Sequence, residues 1–326
     1  MAIRGLTLGY LLVAAIAIGA YLLPVPNNTR GDAFFTLALF CTPAFAALHP
    51  IRLLLQRNPT PVRQIIFDVR KHWRAIVWTV VVYASLAVSL ETFSAIKKSI
   101  PYNNWFYADP FLISLDRAIF SGSDAWQITH AWLEWTTPVQ VWLYNAWHFV
   151  HIGLAIWIAF AFDEVQKVRF TLMLQFIWLV LGGLLATLFS SVGPIMVGEF
   201  YQDHSFDPLL STLREHAPSA LIIRDRLVAS VDDPNLISGI SAMPSVHVAV
   251  AVCTALWLQR YRVKALTILG WSFVLTTYVG SMHLGWHYST DGLVSAPLVI
   301  LFWWVSGRSV NWLAGRTFWF GEKPAT

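Results

Sequence analysis

The 326-residue sequence is short of charged residues. Only 12% of its residues are Asp, Glu, Lys or Arg, whereas soluble domains carry about 25%. Hydrophobic residues make up 56% of the chain, and 17 Trp and 21 Phe are among them. A soluble globular domain is therefore excluded, and a net charge of +4 gives no reason to expect a nucleic-acid partner. The composition predicts a polytopic membrane protein.

Cysteine is also scarce. Cys41 and Cys253 are the two cysteines, and both lie inside apolar runs. Neither is expected to form a disulfide or to bind a metal ion. The chain also lacks internal repeats and low-complexity tracts, so it does not have the pattern of a repeat protein.

Apolar segments are present at intervals along the whole chain. A helix needs roughly 20 apolar residues to cross about 30 Å of hydrocarbon. The predicted spans are 6–23, 33–55, 75–96, 139–162, 170–192, 245–261, 265–282 and 291–305. The first is interpreted as an anchor because it lacks a convincing signal-peptide cleavage site. The expected fold is an all-α membrane bundle of about eight transmembrane helices.

Three regions follow from these spans. Residues 1–73 hold two N-terminal transmembrane helices and a basic loop, residues 74–306 form a six-helix membrane domain, and residues 307–326 form a tail. The loop 52–74 has six basic residues and a single acid, Asp68, so the positive-inside rule places it in the cytoplasm. The topology that follows is multi-pass, in an inner or plasma membrane, with both chain ends in the cytoplasm.

Two histidine motifs stand where predicted spans begin. One is Pro-Ser-x-His at 244–247, and the other is His-x-x-x-Asp at 287–291. Residues four apart share a helix face, so Asp291 is expected to contact His287 and to stabilise its imidazolium. For the second motif alone, a polar pair that caps a membrane helix is the alternative interpretation. The predicted topology places both motifs on the extracytoplasmic face.

Together these motifs resemble the second and third signature motifs of the type-2 phosphatidic acid phosphatase superfamily, which contains membrane lipid phosphatases and phosphotransferases. The stretches Ser-Ala-Met-Pro at 241–244 and His-Tyr-Ser at 287–289 are most similar to the branch that includes inositol phosphorylceramide synthases. Asp109-Pro110 and Asp116 are similar to the outer linker of that branch. The resemblance implies an enzyme without metal or cofactor that acts at the bilayer on a phospholipid or lipid phosphate. Water or an alcohol such as inositol is the implied acceptor.

The resemblance also implies catalytic roles. The family residues that match His287, Asp291 and His247 act as nucleophile, partner carboxylate and general acid. A neutral imidazole is a competent nucleophile, and a general acid contributes about 10²–10⁴-fold. The implied phosphohistidine intermediate passes its phosphoryl group to water or to an alcohol.

Phosphate-binding groups are expected at both motifs. Pro244 favours a helix start, so Ser245 and the free N–H groups that follow it are expected to form an anion site. The usual Arg of the third motif is missing upstream of His287. His283 either replaces some of that charge, one turn before His287, or only hydrogen-bonds at the membrane interface.

The first family motif, Lys followed six residues later by Arg-Pro, is reduced here to its lysine. Lys97 is the candidate phosphate ligand, and Lys98 is either an alternative ligand or a residue at headgroup level. In the fourth predicted span, Tyr144 and His148 are candidates for a headgroup pocket, because polar residues inside a span are often functional. A buried hydrogen bond between helices is the alternative interpretation for this pair.

Two other functions fit parts of the pattern. His283, His287 and Asp291 at four-residue steps are also a possible zinc site of a membrane hydrolase. A lipid transporter or flippase with proton-relay histidines is the non-enzymatic alternative. The stretch 193–239 is expected to form a lid over the site, with apolar stripes toward the membrane and Arg214, Arg224 and Arg226 on its polar side.

Overall fold

The computed structural model describes residues 50–161, 164–233 and 239–313, and these residues form helices and loops without strands. The helices are α1 (Pro61–Asn103), α2 (Asp109–Ile119), α3 (Ala125–Leu133), α4 (Thr137–Ala161), α5 (Glu164–Gln175), α6 (Val197–Tyr201), α7 (Asp207–His216), α8 (Pro218–Asp232), α9 (Val246–Gln259), α10 (Lys264–His283) and α11 (Ser289–Leu313). Helix α5 continues as a π-helix over Phe176–Leu185. The all-helical prediction is confirmed for these residues.

Among the described residues, three helical stretches are long and apolar enough to cross a membrane, which supports membrane association. They are Val165–Leu188, Lys264–His283 and Ser289–Trp312. Helix α9 is apolar but has 14 residues, or about 21 Å at 1.5 Å per residue, which is shorter than a span. The predicted spans 6–23 and most of 33–55 lie outside the described residues. Eight transmembrane helices therefore stay a prediction.

Helix α9 is the centre of the bundle. All six residues from Val248 to Cys253 are at most 2% exposed. Small side chains let the neighbouring helix approach closely: a Cβ atom on Gly270 of α10 would lie 2.8 Å from the Cα atom of Ala255. Near the other end of α9, Trp257 is fully buried among neighbouring rings. This packing fixes the start of α9, and with it His247, at one end of the bundle.

Two loops meet at the end of the bundle where α9 and α11 begin. The loop between α10 and α11 turns at Gly285, which has a φ of +70°. The loop after the π-helix turns at Gly193, where φ is +85° and a Cβ atom would lie only 2.6 Å from the Trp286 carbonyl oxygen. Only glycine tolerates both the backbone conformation and this close approach. The loop that carries His287 is therefore packed directly on backbone.

Helices α6 to α8 form most of the predicted lid and pack at this same end of the bundle. Leu209 and Leu213 of α7 are fully buried against the loops below. Arg224 of α8 is not on the polar side as expected: its guanidinium lies 2.8 Å from Glu199 and donates to the Ile195 carbonyl oxygen. The segment is thus fixed to the bundle by buried leucines, and the Arg224–Glu199 ion pair joins two of its own helices, α6 and α8.

Candidate active site

The imidazole of His287 is held through one nitrogen. Its Nδ1 lies 2.9 Å from the Ala242 carbonyl oxygen and 3.1 Å from Oδ2 of Asp291. A carbonyl oxygen can only accept, so Nδ1 carries a proton, and in the neutral ring Nε2 then has a free lone pair. His287 is 6% exposed and Asp291 is fully buried. The ring is therefore fixed in the tautomer that makes Nε2 a nucleophile.

The expected contact between His287 and Asp291 is present, but the expectation that both residues lie on one helix is wrong. His287 lies in the loop, two residues before α11 begins, and only Asp291 lies in the helix. The side chain of Asp291 reaches back and also accepts from the backbone N–H of Tyr288 at 3.1 Å. The backbone carbonyl oxygen of Asp291 accepts from the N–H of Ser245 at 3.2 Å, and this bond joins the two motifs directly.

His247 faces His287 across the candidate site. The two ring centroids are 5.7 Å apart, and the ring planes are inclined at 62°. The ring of Tyr144 stacks on His247 at 4.6 Å, and Trp147 contacts it at 4.4 Å. Trp147 also donates its indole N–H to the His247 carbonyl oxygen at 2.9 Å. The aromatic rings of α4 thus hold the second histidine.

Ser245 has a different position from the one expected. The helix starts at Val246 and not at Pro244, and Ser245 is the N-cap residue. Its hydroxyl oxygen accepts from the N–H of Val248 at 3.3 Å, and the residue is fully buried. The cap uses an oxygen lone pair and leaves the O–H of Ser245 to donate. Its role as a phosphate ligand stays a prediction.

Both histidines line a cavity of about 270 Å³. Its walls come from α1, α4, α8, α9, the π-helix and the loops between them. Its apolar wall residues are Phe93, Trp147, Trp178, Val192, Met196, Ile223, Leu227, Ile240, Val246 and Trp286. The described lining residues include no carboxylate, and Lys97 is the one lysine or arginine among them. The cavity is thus apolar with a small polar end at the histidines.

Lys97, and not Lys98, lies in this cavity. Its aliphatic stem packs on the backbone of Gly239, where a Cβ atom would lie 2.8 Å from Cδ of the lysine. Its Nζ lies 5.5 Å from the ring centroid of Phe93. No carboxylate in the described ranges forms an ion pair with it, so its charge is available to an anion.

The structure places His283 apart from the cavity. Helix α10 ends at His283, and the turn at Gly285 separates it from His287, so the two do not lie one helical turn apart. Nε2 of His283 lies 2.8 Å from Oγ1 of Thr137, and its carbonyl oxygen lies 2.8 Å from Nε2 of His130. His283 is completely buried in this second cluster.

This position of His283 bears on the zinc alternative. The expected ligand set of His283, His287 and Asp291 requires one continuous helix, which the loop interrupts. Within the described ranges, no three His, Cys, Asp or Glu side chains form a group that could hold a metal ion. The three residues therefore do not converge as the zinc interpretation expects.

The predicted pocket residues Tyr144 and His148 do line the cavity. His148 is exposed at its rim, with its ring centroid 6.2 Å from that of His247. Tyr144 is 6% exposed, and its hydroxyl has no hydrogen-bond partner in the described part of the structure. Asn145 also lines the cavity, although nothing in the sequence singled it out, and so does Ser241, which the sequence marked only as part of the Ser-Ala-Met-Pro stretch.

Sequence reasoning missed several groups that hold the site. The Ala242 carbonyl oxygen is a backbone acceptor, which no sequence motif reveals. Asp109 and Asp116 were noted only for a resemblance to the outer linker of one branch. In the structure, Asp109 accepts from Tyr288 and Asp116 accepts from Ser289, so both carboxylates contact the residues that follow His287.

A profile of the PAP2 superfamily matches residues 110–305, which is more than half of the chain. The protein belongs to the PAP2 superfamily. This membership supports a phosphatase-type enzyme whose substrate is, in general terms, a lipid or phosphate ester. No curated protein and no solved structure matches the sequence.

The position of His283 generates a test of the zinc alternative. Because His283 lies outside the cavity, His283→Gln should keep turnover of a lipid phosphate ester within about threefold of wild type. A metal chelator should also leave the rate unchanged, since the three supposed ligands do not converge. Initial rates of the purified protein, with and without chelator and added zinc, measure both effects. Loss of activity on chelation with recovery on adding zinc would contradict the interpretation.

Proposed function

We propose that the protein transfers a phosphoryl group or a phospho-headgroup from a lipid through a covalent intermediate on Nε2 of His287. The observation that carries this proposal is the pair of acceptors on Nδ1, the Ala242 carbonyl oxygen and Asp291. They leave Nε2 unprotonated at a cavity that His247 also lines. A nucleophile and a second imidazole at one phosphorus are what a two-step displacement needs.

The first step forms a bond between Nε2 of His287 and phosphorus. The bond from phosphorus to the ester oxygen of the leaving lipid breaks, and a protonated His247 gives that oxygen its proton. The Nδ1 proton stays between His287 and Asp291, whose carboxylate stabilises the positive charge that develops on the ring.

In the second step, the now neutral His247 takes a proton from the acceptor. The acceptor oxygen attacks phosphorus, and the bond to Nε2 breaks. Both histidines return to their starting states.

The number of charges favours a phosphodiester donor. Lys97 is the one lysine or arginine among the described lining residues, and the remaining walls are largely apolar. A phosphodiester carries one negative charge, which one lysine can match, whereas a monoester dianion would also need the charge of protonated His247. This argument supports the phosphotransferase branch that includes inositol phosphorylceramide synthases, with an alcohol such as inositol as acceptor.

The apolar walls favour a lipid substrate. Ile223 and Leu227 of α8 line the cavity above the histidines, and Phe93 and Trp178 line it from the bundle. Such walls can contact acyl chains while the polar end holds the phosphate. A flippase receives less support, since a proton relay needs both ring nitrogens to exchange protons and Nδ1 of His287 is tied to two acceptors.

The proposed setting is a multi-pass protein of an inner or plasma membrane. Residues 74–306 would form the six-helix catalytic domain and 307–326 a cytoplasmic tail. The basic loop 52–74 then lies in the cytoplasm, and the cavity opens at the extracytoplasmic face.

The covalent step has a direct test. His287→Ala should abolish an acid-labile label on the protein when the lipid carries ³²P in the transferred group. Asp291→Asn should reduce turnover by about 10²–10⁴-fold, because the ring loses its partner carboxylate. His204→Ala is the matched control, since this histidine is exposed and remote from the cavity. Full turnover by the His287→Ala protein would rule out the mechanism.

Lys97 and Lys98 form a matched pair for testing the phosphate site. Lys97→Met should lower kcat/KM for a phosphodiester lipid by about 10- to 100-fold, because a charge-assisted hydrogen bond contributes about 1.5–3 kcal/mol. Lys98→Met should leave it within about threefold, since Lys98 does not line the cavity. Rates with phosphatidylinositol and with phosphatidic acid measure both variants. Equal effects of the two substitutions, or a faster reaction of phosphatidic acid, would contradict the assignment.

The proposed orientation is tested by labelling cysteines in intact cells. Ser219→Cys, on the exposed surface of α8, should react with an impermeant thiol reagent without lysis. Lys264→Cys, at the start of α10 and so at the opposite end of the bundle, should react only after lysis. Both belong in a Cys41→Ser background, and Cys253 is buried. The opposite labelling pattern would show that the cavity faces the cytoplasm.

A further inference from the structure

Helix α2 carries two buried carboxylates on one face. Asp109 and Asp116 are seven residues apart, or about two helical turns, and are 0% and 2% exposed. Neither forms an ion pair with a residue that the structure describes, and neither lines the cavity. Burial raises the pKa of Asp116 above its usual value, although hydrogen bonds from Ser289 and Thr290 oppose this rise. Burying two carboxyl groups without an ion-pair partner costs folding free energy, so the contacts that they make require an explanation.

Asp116 holds the start of α11. Its Oδ2 accepts from the backbone N–H of Ser289 at 2.9 Å, and its Oδ1 accepts from the Ser289 hydroxyl at 2.6 Å and the Thr290 N–H at 3.3 Å. The first N–H groups of a helix have no partner within the helix. Asp116 supplies this partner from another helix, and it thereby fixes the turn that carries Asp291.

Asp109 joins three segments around the same loop. It accepts from the backbone N–H groups of Val192 and Gly193, each at 2.9 Å. It also accepts from the hydroxyl of Tyr201 at 2.9 Å and from that of Tyr288 at 2.8 Å. Tyr288 directly follows His287. Gly193 packs on the carbonyl group of Trp286, the residue before His287.

From these contacts we infer that Asp109 and Asp116 are positioning residues that hold His287 and Asp291 in their reactive geometry through Tyr288, Ser289 and Thr290. His287 lies in a loop, so its direction depends on what fixes the residues beside it. A displacement of about 1 Å at a reacting group can cost about 10²-fold in rate. The inference rests on the proposed function for its effect on rate, but the geometry itself can be measured without activity.

The first experiment observes the Nδ1 hydrogen bond of His287, whose geometry the two carboxylates are inferred to hold. The Nδ1 proton of His287 should give a low-field proton NMR signal, identified by its loss in His287→Ala. Asp116→Asn and Asp109→Asn should each shift or broaden this signal. Asp124→Asn is the matched control: Asp124 is 6% exposed and pairs with Arg117 at 2.7 Å, and its described side-chain hydrogen bonds go to Arg117 and not to the motif. The control should keep the signal even if it lowers thermal stability.

The second experiment measures rates. Asp116→Asn should lower kcat by about 10- to 100-fold with KM changed less than threefold. In a His287→Ala background, the same substitution should leave the Kd for phosphatidylinositol in mixed micelles unchanged, because the residue it positions is gone. If Asp116→Asn does not fold, Ser289→Ala removes only the 2.6 Å bond and should lower kcat by about three- to tenfold.

An unchanged NMR signal in both aspartate variants would overturn the positioning role. So would a loss of phosphatidylinositol binding in the His287→Ala background, since that result would indicate a general role in folding. If instead the signal responds as expected but wild type forms no phosphohistidine, the positioning role stands and the proposed function fails.

Discussion

The hydrogen bond from Nδ1 of His287 to the Ala242 carbonyl oxygen is the constraint on which the site depends. It decides which ring nitrogen carries the proton, and it does so with a backbone group that cannot change its own protonation state. This carbonyl is itself fixed, because the N–H groups of Ala242 and Met243 on either side of it donate to the carbonyl and hydroxyl oxygens of Ser191, each at 3.0 Å. Three loops from distant parts of the chain are therefore joined at the reactive ring.

These loops are buried, and burial makes their hydrogen bonds decisive. A buried polar group without a partner costs about 1–3 kcal/mol, so each loop must find acceptors and donors in its neighbours. Here the partners are the N-cap at Ser245, the carboxylates of α2 and the backbone of the opposing loop. Central helix α9, with its small residues toward α10, provides the rigid base that holds these partners in place.

The cavity combines apolar walls with very few charges. In a site of low dielectric constant, a single cation acts more strongly on an anion than it would in water. Under the proposed function, Lys97 would therefore have a large effect for one residue, because the described lining has no carboxylate to compensate its charge. The same walls would contact the acyl chains of the proposed lipid substrate.

Much of the architecture follows from composition and apolar patterning. The spans predicted over 139–162, 265–282 and 291–305 lie within a few residues of helices α4, α10 and α11. Hydrophobic periodicity is local, and the segment itself determines it, which is why these elements could be predicted.

The two histidines, the aspartate and Lys97 could also be found in the sequence, because their motifs are contiguous or nearly so. What spacing could not decide was how the residues meet. Spacing of four residues predicts neighbours only along an unbroken helix, and Gly285 breaks the helix between His283 and His287. Asp109 of α2 bonds to Tyr288, and the Ala242 carbonyl oxygen bonds to His287. Both contacts join residues more than 40 positions apart in the chain. Tertiary packing alone decides such contacts, since they depend on which buried groups need partners after the helices have come together.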